Sequence, residues 1–447
     1  MMRQRVTAAV FAASMLLMTG CQGEFADTPV ARVNGQAIRA GDLAAVLPPS
    51  VDSGPDAAAT KRQMLDQIID KQVFVQEAER RGLEDSISYQ LELEQKHLVT
   101  QELYRDVVAP AAKVSELELE NARKLLLNEA RIRLIETETD EEARKVLAEL
   151  EQGVPFETLA VRLSKHQTAR TGGDFGFLPE LWLDFPMRDE VLSLSPGEVA
   201  GPIEVYGRYR VVRLEERRAA DPPPPPLGEI RQELEFRLKK AMQYDLAERY
   251  LASLRERLEY RDEGLDVLCK PVDSITPEEQ ETWVAVRDGE KYVKVGNLLR
   301  VARRFPPSLD TAMRRYAVRR EIEEDLIYED GLKQGFDRLP AVREGLERRR
   351  EDLLYQVLYR LEVSDRVEVG DEEIRRFYDD KREMFGDTGF EEAADGIRQR
   401  LLPEKRRERL KEYTAELREG AEIEIYEEVL DRVSRQGGDR PPRTPQT

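Results

Sequence analysis

The chain has 447 residues, with 70 Lys+Arg, 89 Asp+Glu, two His and two Cys, a length for two to four domains at roughly 150 residues each. Its net charge of −19 argues against general nucleic-acid binding, because phosphate contacts need a basic face. So few His and Cys exclude a disulfide framework and nearly exclude a His/Cys metal site, and no metal or cofactor is expected. A charged fraction of 36%, against roughly 25% in an average domain, points to long solvated helices.

Met1 to Arg5 carry two positive charges, and Val6 to Met18 form an apolar run shorter than the roughly 20 residues that span a bilayer. Residues 1–20 therefore read as a secretory signal peptide. Met18-Thr-Gly-Cys21 resembles a bacterial lipobox. The resemblance implies cleavage before Cys21 and lipidation of its thiol; an ordinary signal with an incidental Cys is the alternative. Gln22 after the Cys resembles Gram-negative sorting signals that lead to the outer membrane, so a periplasmic, lipid-anchored location is implied. Cys269 is then left without a partner and is expected to be buried rather than reactive.

Val30 to Arg39 reads as a hairpin, because Asn34-Gly35 supplies the positive φ angles of a tight turn. After a Pro/Ser/Gly loop (48–55), Lys61 to Gly82 is an amphipathic helix with Met64, Leu65, Ile68, Ile69, Val73 and Phe74 on one stripe. Helices follow at about 84–109 and 115–127, the second opened by a Ser115-x-x-Glu118 capping box. From about 130 to 218 the period changes. Arg131–Ile135 alternates as a strand, 140–152 and Phe156–Leu163 are helical, and Thr171–Gly176 is a turn. Arg188–Ser193 is a short helix and Tyr209–Leu214 a closing strand, so the segment is a small α+β module. The polyproline run Pro222–Pro226 ends it and starts a long helix at about 228–258.

The remainder repeats the beginning. Gln101-x-Leu-Tyr-Arg105 recurs as Gln356-x-Leu-Tyr-Arg360, Val114 with Leu119 recurs as Val369 with Ile374, and Gly82 returns as Gly335. Ile230-Arg-Gln-x-Leu234 returns as Ile397-Arg-Gln-x-Leu401, and Tyr250-x-x-x-Leu-Arg-Glu256 as Tyr413-x-x-x-Leu-Arg-Glu419. The shared order of these markers favours duplication over chance similarity of charged helices. The second copy lacks the α+β module, and only Asp379 to Phe390 fills its place.

Four stretches of the module, Phe156-Glu-Thr-Leu-Ala160 with Ser164, Gly172-Gly-Asp-Phe-Gly176, Leu194-Ser-Pro-Gly-Glu198-Val-Ala-Gly-Pro202 and Tyr209-Arg-Val-Val-Arg-Leu214, resemble a parvulin, the small peptidyl-prolyl cis-trans isomerase domain. The whole chain resembles the SurA/PrsA/PpiD-type extracytoplasmic folding factors. The resemblance implies a mainly α fold: duplicated helical chaperone-like domains with one small α+β parvulin-like insert. The expected boundaries are 21–127 plus 228–268 for the first helical domain, 128–220 for the parvulin-like domain and 221–227 for the linker. A second helical repeat at 290–430 and a disordered tail at 434–447 complete the chain.

By the same resemblance, substrate-binding positions fall on Leu183, Met187 and Leu192, which are equally readable as core. The family usually sets two His in the floor of the site; here those positions read Arg133 and Arg210, and the Cys or Asp beside the substrate carbonyl reads His166. A guanidinium has no acceptor and cannot copy a neutral His pair. If both Arg point inward they make a cationic floor that suits acidic residues next to Pro, with Asp174 and Glu198 as candidate partners; the alternative is that the strands are edge-on and both Arg lie in solvent. The implied partners are unfolded or extended, Pro-containing polypeptides and a membrane, with no nucleic acid. Two functions fit: a parvulin-type isomerase and chaperone for secreted or outer-membrane polypeptides, and a non-catalytic holdase with a degenerate parvulin module. A third, a periplasmic scaffold for one partner, rests on helical composition alone.

Overall fold

The computed structural model describes residues 25–48, 56–183, 185–306 and 308–434. The expected signal peptide, Cys21 and the tail beyond residue 434 lie outside them. In chain order the first part opens with β1 (Pro29–Val33) and β2 (Gln36–Arg39), joined by Asn34 and Gly35 at φ 50° and 81°. Next come α1 (Ala40–Val46), α2 (Ala57–Arg80), α3 (Ser88–Leu103) and α4 (Glu116–Leu126). Ser115 caps α4 as expected: Glu118 N–H donates to its Oγ, and its own N–H donates to the Glu118 carboxylate at 2.6 Å. The single helix expected over 84–109 is broken by a 3-10 turn at Leu83–Ser86 and a π turn at Tyr104–Val108, just before Pro110, whose ring removes a helical donor.

The module comprises β3 (Asn128–Thr137), α5 (Asp140–Glu151), α6 (Phe156–Leu163), β4 (Asp174–Pro179), α7 (Phe185–Ser193), β5 (Val199–Val205) and β6 (Arg208–Ala219). Its antiparallel sheet has the order β4-β3-β6-β5. The outer strands β4 and β5 are not among the expected elements. Both are edges interrupted by Gly and Pro (Gly176, Pro179; Gly201, Pro202), which erase the alternation that betrays a strand. One face packs Ile135 and Val211 against α5 and α6; the other packs Ile132, Leu134, Val212 and Leu214 against Leu183, Met187 and Val191. Ala220 N–H donates to the Leu127 carbonyl at 2.8 Å, so the module leaves and rejoins the helical chain at one point.

The chain continues through α8 (Leu227–Arg255), β7 (Leu258–Tyr260) and α9 (Asp262–Leu268). Then come β8 (Trp283–Arg287), β9 (Glu290–Lys294), α10 (Val295–Ala302), α11 (Thr311–Gln334), α12 (Pro340–Tyr359), α13 (Asp371–Asp380), α14 (Phe390–Glu419), β10 (Ile423–Ile425) and α15 (Glu427–Arg432). The order of the second run, hairpin, short helix, 24-residue helix, long helix, π turn, helix, long helix, strand, helix, repeats that of the first with the module removed.

Two three-stranded sheets accompany the helices, β10-β1-β2 and β7-β8-β9. In each, a hairpin from one run is completed by the last strand of the other, Ala31 opposite Ile425 and Tyr260 opposite Ala285. The chain accordingly divides into two compact units, one of residues up to Glu94 with those from Glu344, the other Gln95–Arg343. The segments 21–127 with 228–268 and 290–430 each contribute to both. The core of the first unit gathers Val30, Leu65, Ile69, Phe74, Leu354, Leu358, Tyr413 and Leu430. A core of the second gathers Leu265, Val284, Val295, Val318 and Ile322. Cys269 is half-buried, and burial pushes its thiol up from the ordinary value.

Candidate functional site on the parvulin-like module

The floor of the site lies near one end of the β3–β6 ladder, where Glu136 stands directly opposite Arg210. Successive strand residues face opposite sides. Glu136 is therefore in phase with Leu134 and Ile132, and Arg210 with Val212 and Leu214, all on the α7 side. Arg210 Nε donates to Glu136 at 3.0 Å, and Arg208 Nε lies 3.7 Å from the same carboxylate. The far end of Arg208 pairs with Asp310, which caps α11 by accepting the Met313 N–H at 2.9 Å. Glu136 is 8% exposed, and two guanidinium groups face its carboxylate.

The backbone of Glu136 also fixes the loop that carries His166. Its N–H donates to Ser164 Oγ at 3.1 Å, its carbonyl accepts the Lys165 N–H at 2.8 Å, and Ser164 Oγ accepts the His166 N–H at 3.2 Å. The Thr168 N–H donates to His166 Nδ1 at 3.3 Å, and Thr168 Oγ1 lies 2.9 Å from the same nitrogen. The ring stacks on Phe175 at 5.6 Å between centroids, and Phe175 is exposed.

Arg133 belongs elsewhere. It is out of phase with Glu136 and lies on the α6 side, donating to the Gly172 carbonyl at 2.9 Å and facing Glu157 and Glu215 at 3.1 and 3.2 Å. Arg213, its cross-strand partner, binds the same two carboxylates at 2.6 and 2.5 Å. A hydrogen bond from its own backbone N–H and the Arg213 and Arg133 guanidiniums hold the Glu157 carboxyl below the ordinary range. The two Arg thus part: Arg210 is inward and paired, and Arg133 braces the opposite face. The reason is strand phase, since residues 133 and 210 present opposite sides of the sheet. With Arg210 paired, the floor is not a free positive field, and the expected preference for acidic residues next to Pro loses its basis. Asp174 pairs with Arg131 and lies 3.9 Å from Arg133, whereas Glu198 accepts the Ser195 N–H of a turn at 2.7 Å.

Leu183 and Met187 sit on the same side as Glu136 and Arg210, but each is only 3% exposed and packs into the module core. Leu192 is half-buried. Its carbonyl accepts from Arg217, whose guanidinium also holds the carbonyls of Val191 and Leu194 and the carboxylate of Glu180 at 2.7 to 2.8 Å. Sequence reasoning missed both Arg217 and Glu136; continuing the β3 alternation two residues past Leu134 finds Glu136, whereas nothing local marks Arg217. Leu183 further lines an apolar groove of about 760 Å³ with Leu181, Trp182, Pro222, Pro224 and Phe236. Trp182 and Phe236 are 53% and 64% exposed, and the Arg237 guanidinium lies 4.3 Å from the Trp182 ring centroid.

Residues 104–218 match the family described as PPIC-type PPIASE domain. The chain is 28% identical over 248 residues to a "Probable parvulin-type peptidyl-prolyl cis-trans isomerase" of Bordetella pertussis, covering 51% of this chain and 90% of that protein. It is 34% identical over 77 residues to the foldase protein PrsA of Clostridium tetani, 17% of this chain and 23% of that one. The solution structure of the parvulin domain of PpiD from E. coli is 31% identical, covers 21% of this chain and 90% of that chain, and superposes with a TM-score of 0.19.

Proposed function

Starting from the premise that residues 104–218 are a parvulin domain of the PPIC type, we propose that this protein is an extracytoplasmic folding factor for unfolded, Pro-containing polypeptides, tethered to a membrane through lipid on Cys21. Its helical units hold extended clients, and the module binds Pro-containing segments while isomerising them slowly. The observation that carries this reading is the Glu136–Arg210 ion pair in the floor of the site. Prolyl isomerisation forms no covalent intermediate; the enzyme lowers a barrier of roughly 18–20 kcal/mol by seating the ring and favouring the twisted amide electrostatically. A closed ion pair spends its field internally and offers the amide little. The exposed Trp182 and Phe236 beside the site give a client an apolar seat that needs no turnover.

A fully active isomerase is the second reading, favoured by the apolar Leu183 and Met187 and by His166 at the carbonyl-facing position. A proline-peptide isomerisation assay, run beside suppression of client aggregation, separates the two. Full-length protein is expected to suppress aggregation with weak isomerisation. Deleting 128–219 and joining Leu127 to Ala220, which already share a hydrogen bond, is expected to leave most of that suppression. Robust isomerisation that Arg210→Ala abolishes, or loss of all suppression in the deletion despite native helicity, overturns the proposal.

A further inference from the structure

The two compact units are built alike, and the likeness extends to single contacts. Leu65, Ile69, Val73 and Ala78 of α2 stand at the same spacing from Val318, Ile322, Leu326 and Gly331 of α11, and all eight are buried. Gly82 and Gly335, at that same spacing, both end their helices at positive φ, 68° and 84°. In the first unit Arg418 of α14 binds Asp70 of α2 at 2.6 Å; in the second Arg255 of α8 binds Glu323 of α11 at 2.6 Å. Tyr413 accepts from Arg81 at 2.8 Å, and in the matching place Tyr250 accepts from Gln334 at 3.0 Å. Every one of these contacts joins one run of the chain to the other.

One matched contact reverses sign. In the first unit Lys71 of α2 lies between Glu351 and Asp352 of α12, at 3.1 and 2.7 Å. The residue matching Lys71 is Glu324 of α11, and the residue matching Glu351 is Lys96 of α3. In the second unit Lys96 is surrounded by Glu321, Glu324 and Asp325 at 3.0, 3.9 and 2.8 Å. The first run therefore carries Lys at both positions and the second carries Glu at both.

We infer that this reversal is a pairing code that makes each half of the chain select an unlike half and reject a like half from a second molecule. A fold built by exchanging strands and helices between two similar halves has an obvious competitor, the same exchange between two chains. First half against first half places Lys71 against Lys96. Second half against second half places Glu324 against Glu351, with Asp325 and Asp352 adding to the repulsion. Only the mixed pairing satisfies all four positions, which is specificity by penalising the alternative. The burial of Lys96, whose side chain is 13% exposed, makes an unmatched charge there costly. The partner this surface fits is an unlike half, which its own chain supplies, whatever the module does to clients.

The test uses the full chain. Lys71→Glu places a third carboxylate against Glu351 and Asp352 and is expected to lower the unfolding midpoint by several degrees, as is Glu351→Lys. The double variant K71E/E351K restores the contact with the charges exchanged and is expected to recover most of the loss. It also erases the code, because the carboxylate introduced at position 71 now suits Lys96 and the ammonium introduced at position 351 suits Glu324. Refolded from denaturant and sized by light scattering, the wild type is expected to give monomer alone. The double variant is expected to give a dimer fraction that rises with protein concentration. Additive effects of the two single substitutions, or the same size distribution for wild type and double variant, overturn the inference.

Discussion

Removing the carboxylate of Glu136 strips a charge from beneath two guanidinium groups. The side chains of Glu136, Arg210 and Arg208 are 10%, 13% and 18% exposed. Breaking a fully buried pair costs about 3–5 kcal/mol, but Arg208 keeps Asp310 and all three groups retain some water. Glu136→Ala should therefore destabilise the module by about 2 kcal/mol, and Glu136→Gln, which keeps an acceptor for Arg210, by about 1 kcal/mol. With urea slopes of roughly 1–3 kcal/mol per molar, the alanine variant shifts the module's midpoint down by about 1 M. A urea titration of the full chain, read by amide exchange in peptides from β3 and β6, isolates that transition. The loop carrying His166 should stay protected in both variants, because it is bound through the backbone of Glu136 rather than its side chain. An alanine variant as stable as wild type would refute the reasoning, since the pair would then be solvated and its field free to act on a substrate.

Arg217→Ala should free the carbonyls at the end of α7 and leave the buried Glu180 unpaired, a loss of about 2–4 kcal/mol in module stability by denaturation; Arg217→Lys should fail to rescue it, because an ammonium lacks the planar fork. Gly207→Ala should loosen the β5–β6 turn from α11, since the residue sits at φ +78° and an added Cβ would overlap the Cβ of Tyr316; amide exchange at 206–208 and 311–316 measures it. The carboxyl of Glu77 is held down to about 2 from an ordinary 4.5 by Arg80 and Arg81. Its contribution to the first unit is therefore complete above pH 4.5 and lost as pH falls toward 2; Glu77→Gln should flatten acid unfolding in that window, followed by circular dichroism. Cys21→Ser should release the protein from the membrane fraction and abolish incorporation of labelled fatty acid; release without any label in the wild type would sink the anchor.

Much of the helical frame was legible in the sequence, because local chemistry determines it. Asn34-Gly35 specifies a turn whatever surrounds it, Ser115 and Glu118 cap α4 with atoms three residues apart, and the stripe through Leu65, Ile69 and Val73 names the buried face of α2. The module was legible through spaced motifs and the switch in period, although its edge strands were hidden where Gly and Pro break the alternation. Phase and partner were decided by tertiary structure. Arg133 reads as an inward residue until the strand is followed to Thr137, because a single-residue difference in phase turns a side chain to the other face of the sheet. Which carboxylate meets Arg210 depends on the register of β3 against β6, strands separated in the chain by helices and both edge strands. The pairing of Ala31 with Ile425 joins opposite ends of the chain. A hydrophobic period states that a strand has a buried side; it carries no information about which strand lies beside it, and here that choice places halves of two repeats in each unit.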